Sequence, residues 1–175
     1  SALVLHSGLF VVTLISVTIG YVLFTVPLHG VETLTEALLK IVTTPEIFRQ
    51  GLPFSAALLS ILLAHEMGHY LTARRLGVDQ SLPFFIPAPG TFFGTFGAII
   101  VMRQMPKTRS SLLRVAVMGP YAGLILAIPM TAWGLANSTP IPPDVFNQPG
   151  PHITFGSSLL VTGLEHLFSP HGADV

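Results

Sequence analysis

The sequence predicts an all-α, polytopic membrane protein with three spanning helices, a short β-strand or re-entrant segment, and interfacial helices. Charged residues make up 9% of the chain and hydrophobic residues 50%, whereas a soluble domain has about 25% charged residues. The mean hydropathy is +0.70. Three apolar segments are also long enough, at about 20 residues each, to cross the hydrocarbon core of a bilayer: 2–28, 52–73 and 112–135.

Composition also excludes several classes of function. Eight basic and eight acidic residues give zero net charge, which argues against a nucleic-acid partner. Cysteine is absent, so disulfides and thiolate metal sites are excluded. The length fits one compact domain, and we expect residues 1–175 to form a single membrane-embedded domain in contact with the lipid bilayer.

The first span, 2–28, is too long for the apolar core of a cleavable signal peptide, so we interpret it as a spanning helix. The next segment, 29–51, has apolar residues at helical spacing, which predicts an amphipathic interfacial helix. Its charged residues lie on another face: Glu32, Glu36 and Lys40. The second span, 52–73, then ends at Arg74 and Arg75.

The segment 83–105 is apolar but rich in Pro and Gly, so an unbroken helix is not expected there. Residues 96–103 are predicted to form a strand, with Gly90, Gly94 and Gly97 supplying turns or close backbone approach. A membrane-hugging linker is the alternative. After the third span, the prolines of 136–151 predict a loop. The apolar 152–168 predicts a short helix, on the surface or leading into another membrane element.

Basic residues predict the orientation of the chain in the membrane. Six of the eight lie between the end of the second span and the first turn of the third: Arg74, Arg75, Arg103, Lys107, Arg109 and Arg114. The positive-inside rule places that side in the cytoplasm. The N-terminus would then also be cytoplasmic, and the Pro-rich loop would face outward.

The second span carries His65, Glu66 and His69 in the pattern HExxH. Positions four apart share a helix face, so the two imidazoles can bind one metal ion while Glu66 lies beside it. Imidazole suits Zn²⁺, which activates water for hydrolysis near neutral pH, and Glu66 is the predicted general base. At ~1.5 Å per residue, Arg74 lies roughly 7 Å beyond His69 and roughly 13 Å beyond His65. The three polar residues are therefore buried, but reachable from the cytoplasmic face.

A hydrogen-bonded structural cluster is the alternative to a metal site. However, a glutamate and two histidines within a span cost on the order of several kcal/mol unless they are paired or bound. Gly68, between the histidines, predicts either the close approach of another backbone or ordinary helix packing. In the third span Gly119 and Gly123 are small residues four apart, the pattern that lets membrane helices pack tightly.

Three blocks in this order carry a family resemblance: HEMGH (65–69) in an apolar helix, SLPFFIPAPGTFFGTFGAII (81–100), and GPYAG (119–123) at the start of the next span. They resemble the site-2 protease family of intramembrane zinc metalloproteases, in particular its bacterial and plastid-type subfamily. The resemblance covers Leu52 to about Leu135. It implies that His65 and His69 bind zinc, that Glu66 activates water, and that the substrate is a transmembrane helix.

In that family the third zinc ligand is an aspartate of an Asp-Gly motif on a later spanning helix, and no Asp-Gly pair occurs here. We therefore expect the chain to be truncated, with the completing helix after Val175. Asp144, Glu165 and Asp174 are weaker candidates within the chain. The other histidines are expected at interfaces or in loops, because none shares a helical face with the motif: His6, His29, His152, His166 and His171.

The leading hypothesis is an intramembrane zinc metalloendopeptidase that cleaves transmembrane segments of membrane proteins. A substrate helix must first unwind, and the predicted strand offers an edge that can accept the unwound segment by β-addition. The residues of that predicted edge are Gly97, Ala98, Ile99, Ile100 and Val101. The alternative is that the strand only plugs the site against lipid.

Two other functions stay open. One is a non-catalytic membrane protein of the same fold that binds partners or metal; an incomplete ligand set favours it, whereas Glu66 favours catalysis. The other is a membrane-anchored HExxH protease that cuts exposed loops and takes a Glu or His ligand from farther along the chain. The resemblance implies a bacterial cytoplasmic membrane or a plastid membrane, with the site opening to the cytoplasmic or stromal side.

Overall fold

Three long apolar helices dominate the structure, a computed structural model that describes residues 2–26, 28, 30–31, 33–138 and 158–168. The helices are α1 (Ala2–Thr25), α2 (Leu34–Thr43), α3 (Pro45–Arg75), α4 (Arg109–Ala136) and α5 (Leu159–Phe168), and the strands are β1 (Phe84–Pro87) and β2 (Thr95–Ile99). The chain divides into two compact units, 1–126 and 127–175. The candidate site lies in the first.

The three helices α1, α3 and α4 are long and apolar enough to cross a membrane, which confirms the mostly helical fold class. At ~1.5 Å per residue, even the shortest of them exceeds a hydrocarbon core of about 30 Å. Many of their large apolar side chains are exposed, such as Leu3 at 65% and Ile125 at 69%. Such exposure is unfavourable in water but costs nothing against lipid.

The second long helix, α3, begins at Pro45, earlier than the predicted span of 52–73. Thr33 caps α2, since its hydroxyl accepts a hydrogen bond from the Glu36 amide at 3.2 Å, and the helix buries Ala37 and Ile41. A new helix then starts at Pro45, a residue that suits a first helical turn because no helical partner for its missing N–H is needed there. Residues 45–51 therefore belong to α3 rather than to an interfacial helix.

Gly51 and Pro53 suggest a helix boundary in the sequence, but α3 runs through both. A Cβ at Gly51 would lie 2.8 Å from the Thr18 carbonyl oxygen of α1, so this glycine is a packing site. One turn on, the hydroxyls of Thr18 and Ser55 lie 2.8 Å apart and are buried. Close contact and an interhelical hydrogen bond thus hold α1 against α3.

The hairpin of β1 and β2 packs between α1 and α3. Its strands pair antiparallel, Phe84 with Ile99 and Phe85 with Ala98, before a register shift toward the tip. Phe85 lies in a buried cluster with Val17 of α1 and Leu59 of α3. The structure thus has a strand within the segment predicted to contain one, at Thr95–Ile99 rather than 96–103.

The end of the chain is described in part. Most of the loop predicted at 136–151, from residue 139 onward, lies outside the described residues, as does the start of the helix predicted at 152–168. The described helix of that region is α5, Leu159–Phe168. It belongs to the second unit.

Candidate active site

His65 and His69 lie one turn apart on α3 and turn their rings toward each other. The two Nε2 atoms are 3.1 Å apart, and the ring centroids are 4.8 Å apart at an interplanar angle of 76°. Two nitrogens bound at ~2.0–2.1 Å to a tetrahedral ion lie about 3.3 Å apart. The pair therefore fits two ligand positions of one zinc ion.

A backbone carbonyl fixes the ring of His69. Its Nδ1 lies 2.7 Å from the carbonyl oxygen of Val115 on α4, and because that oxygen can only accept, Nδ1 must carry the proton. The lone pair of His69 is then on Nε2, which faces His65. This is the arrangement by which proteins orient zinc-binding histidines, and no sequence pattern predicted Val115 as its partner.

Glu66 is next to the first histidine and about 100° around the helix from it. The residue is partly buried. In the described part of the chain its carboxylate makes no side-chain hydrogen bond or ion pair. A carboxylate without such a partner, beside two nitrogens that could hold a metal ion, can exchange a proton with water or substrate.

Gly68 is where the backbones of α3 and α4 meet. A Cβ on this residue would overlap the Met118 carbonyl oxygen and lie 2.9 Å from the Cβ of Ala122. The prediction that another backbone approaches Gly68 is thus confirmed. The same approach brings Val115 within reach of His69, because Val115 and Met118 occupy neighbouring turns of α4.

No group of three His, Cys, Asp or Glu side chains that could hold a metal occurs among residues 2–26, 28, 30–31, 33–138 and 158–168. His6 lies on α1, where its ring is 4.2 Å from that of Phe84. Glu165 and His166 lie on α5, in the second unit. The remaining candidates lie outside the described residues: His29, Asp144, His152, His171 and Asp174.

The predicted substrate edge is only partly strand. Gly97, Ala98 and Ile99 belong to β2, and Ile100 and Val101 follow it. The Val101 carbonyl accepts a hydrogen bond from the Ser81 amide at 2.9 Å, so the pairing of the two segments continues beyond β2. Residue 101 thus directs its carbonyl toward the β1 side.

An apolar cavity of about 320 Å³ lies on another side of α3. It is bounded by α1, α3 and the chain at Leu82 to Phe85, and Leu63 and Met67 contribute to it from α3. These two residues are about 160–200° around the helix from His65. The cavity and the histidine pair therefore use different faces of α3.

The family model described as "Peptidase family M50" matches residues 53–171, which include most of α3, the hairpin and α4. The match covers more than half of the 175 residues. The chain belongs to peptidase family M50. Membership confirms the predicted relation to site-2 proteases, and it places the histidine pair and Glu66 within the part of the chain that defines this peptidase family.

Curated relatives of this M50 chain include plant proteins named as probable zinc metalloproteases. It is 37% identical over 113 residues to "Probable zinc metalloprotease EGY2, chloroplastic" of Arabidopsis thaliana, covering 65% of this chain and 20% of that protein. It is 39% identical over 113 residues to the EGY1 protein of Arabidopsis thaliana, covering 63% and 20%. With the EGY2 protein of Oryza sativa subsp. indica the identity is 32% over 146 residues, covering 83% and 26%.

The M50 chain spans only about a fifth to a quarter of the length of these relatives. No solved structure matches it significantly.

Proposed function

We propose that this chain forms the catalytic core of a zinc metalloendopeptidase that hydrolyses peptide bonds in transmembrane segments. The observation that supports it most is the geometry of His65 and His69, with Nε2 atoms 3.1 Å apart and His69 oriented by Val115. A structural histidine pair would need no carboxylate, yet Glu66 lies beside this one. The names of the plant relatives support zinc as the metal.

The residues have separate roles in the proposed mechanism. Zinc held by His65 and His69 would supply Lewis acidity, activating water and polarising the peptide carbonyl. Glu66 takes a proton from the attacking water and delivers it to the amine nitrogen as the C–N bond breaks. Val115 keeps the proton of His69 on Nδ1, so that Nε2 stays available to the metal.

A third protein ligand completes the proposed site. Three protein ligands and one exchangeable position are usual for catalytic zinc, and we propose two of them, His65 and His69, in the described part of the chain. We propose that the third is a carboxylate outside the described residues. An aspartate of an Asp-Gly motif is the expectation from the family resemblance.

Depth in the membrane favours a transmembrane substrate. His65 is ten residues before Arg75, the last residue of α3, or about 15 Å along the helix. A peptide bond must therefore reach a site below the level of the basic residues. The cleaved segment is proposed to be a locally unwound transmembrane helix that pairs with the free edge of β2, at Gly97 to Val101.

We propose a plastid or bacterial cytoplasmic membrane as the location. The chloroplastic relatives favour the plastid. The basic residues between α3 and α4 favour a site that opens to the stromal or cytoplasmic side.

Glu66→Gln tests the catalytic role directly. The amide keeps the shape of the side chain but cannot accept the proton, so cleavage of a reporter with one transmembrane helix should fall by at least 100-fold. Zinc content, measured by elemental analysis of the intact protein, should stay near the wild-type value. Glu46→Gln, which changes an exposed glutamate in the first turn of the same helix, should alter neither.

Three results would redirect the proposal. Cleavage that persists in Glu66→Gln removes Glu66 from the mechanism. Zinc binding without cleavage in the wild-type protein favours the non-catalytic function. A wild-type protein that binds no zinc, with His65→Ala and His69→Ala as references, overturns the metal site.

A further inference from the structure

Two glycines of α4 lie opposite the two histidines of α3. The atoms nearest to a Cβ built at Gly119 all belong to the imidazole of His69, and those nearest to a Cβ at Gly123 all belong to His65. Glycines four apart thus match histidines four apart in reverse order, as antiparallel helices require. The correspondence places α4 directly over the proposed metal-binding rings.

The two glycines differ in how closely the rings approach. A Cβ at Gly119 would overlap the Nε2, Cε1 and Cδ2 atoms of His69. A Cβ at Gly123 would lie 3.4 Å from the Cβ and Nδ1 of His65, at the edge of ordinary van der Waals contact. The structure therefore has no room for any side chain at residue 119, while it can accept a methyl group at residue 123.

We propose that Gly119 is a positioning residue for the metal site. Together the Val115 carbonyl and the Cα of Gly119 form what we call the imidazole socket: the carbonyl accepts a hydrogen bond from Nδ1–H of His69, and the missing side chain of Gly119 leaves space for the ring. This inference rests on the proposed function, because it concerns the same ring. It goes further because it proposes that the backbone of α4, at Val115 and Gly119, determines the orientation of the His69 ring.

The Val115 carbonyl can accept hydrogen bonds from its own helix and from His69 at the same time. Val115 is 1% exposed, so its carbonyl cannot bond to water or lipid headgroups. Within an α-helix that carbonyl accepts from the amide four residues later, which is Gly119. A carbonyl oxygen has two lone pairs, and the second one accepts a hydrogen bond from Nδ1–H of His69, with 2.7 Å between nitrogen and oxygen.

Zinc affinity is the first test of the socket. In Gly119→Ala the ring of His69 must leave its position over residue 119, so it loses the hydrogen bond to the Val115 carbonyl. Zinc affinity, measured in competition with a chromophoric chelator, should therefore fall by about 10–100-fold, the usual effect of losing an orienting partner. Gly123→Ala makes the same chemical change one turn away and should stay within about threefold of wild type. Equal affinity in wild type and Gly119→Ala overturns the inference.

A double-mutant cycle without metal separates positioning from general packing. Thermal unfolding is measured in excess chelator for wild type, Gly119→Ala, His69→Ala and the double variant. Gly119→Ala should lower Tm in the wild-type background and leave Tm unchanged once His69 is alanine, because the methyl group then has space. An equal decrease in both backgrounds shows that the methyl group meets something else, and overturns the inference.

The two measurements also distinguish this inference from the proposed function. If the wild-type protein binds no zinc, the proposed function fails. The double-mutant cycle in chelator still shows whether the missing side chain at residue 119 makes space for the His69 ring. If the wild-type protein binds zinc and the cycle shows no coupling, only the socket fails. Cobalt(II) absorption of Gly119→Ala should then match that of wild type, whereas loss of the His69 ligand would change it.

Discussion

Gly94 holds the tip of the hairpin against α1. The residue has φ of +66°, a backbone conformation that favours glycine, and a Cβ there would overlap the Ser16 carbonyl oxygen and the Val17 Cα. The Ser16 hydroxyl also donates a hydrogen bond to the Gly94 carbonyl at 2.6 Å. One residue thus combines a backbone conformation, a close contact and a hydrogen-bond acceptor.

Gly90 provides a matched control for Gly94. It also has positive φ, at +91°, but no other part of the described chain lies within 4 Å of a Cβ built on it. Both alanine variants should therefore lose stability from backbone strain. Gly94→Ala should lose about 1–3 kcal/mol more from the contact with α1, measured as the difference in unfolding free energy in detergent. Similar losses for the two variants would contradict the close packing of the tip on α1.

Single residues also show what the sequence could predict about the site. HExxH predicted that His65 and His69 share a face, because helical periodicity alone decides it. The partner of His69 could not be predicted, since Val115 acts through a backbone carbonyl that every residue has. Likewise, the glycines at 119 and 123 predicted close packing but not that the packed groups are the histidine rings.

At the scale of elements, the sequence predicted helices better than their ends. The apolar length of α3 identified a span, whereas Gly51 and Pro53 suggested a boundary that the helix does not have. Gly51 is needed for the contact with α1. Pro53 removes one helical hydrogen bond and crowds the carbonyl four residues earlier, but it does not end α3. Tertiary packing therefore decided the boundary, and no local pattern contained that information.

The free edge of β2 gives a prediction about substrate binding. Residues 101 and 103 bond to the β1 side, Val101 through its carbonyl to Ser81 and Arg103 through its amide to Asp79. Because successive strand residues alternate in the direction of their amides, we expect Ile100 to direct its N–H to the opposite edge, where no strand pairs in the described part of the chain. A substrate strand added at this edge would accept a hydrogen bond from Ile100.

Ile100→Pro removes that donor and should reduce cleavage of the single-helix reporter by about tenfold, the equivalent of one hydrogen bond, with zinc content unchanged. Ile100→Ala is the control, because it shortens the side chain and keeps the N–H. We expect Ile100→Ala to cleave at close to the wild-type rate. If both variants lose cleavage activity equally, substrate binding depends on the Ile100 side chain and not on its N–H. If Ile100→Pro also loses zinc, residue 100 is needed for the structure of the metal site.

The whole molecule has an asymmetric charge distribution that predicts its topology. From the last turn of α3 to the beginning of α4, residues 74–114, the chain has six basic residues and one acidic residue, Asp79, which pairs with Arg103 at 3.2 Å. Such an excess retains its loop on the cytoplasmic or stromal side. Since α3 ends at this loop, we expect the proposed metal-binding turn of the helix to lie nearer to that side than to the other. Topology thus decides from which compartment water enters the site and into which a cleaved fragment is released.

The absence of cysteine makes this topology directly measurable, because a single introduced thiol is the only one in the chain. Gln104→Cys lies exposed in the basic loop, and Thr43→Cys lies exposed at the end of α2, before α3 begins. Neither substitution changes the charge. A membrane-impermeant maleimide added to sealed vesicles of known orientation should label Gln104→Cys from the cytoplasmic or stromal side and Thr43→Cys from the other. Labelling of both from one side would mean that α3 does not span the membrane, and a reversed pattern would place the opening of the site in the opposite compartment.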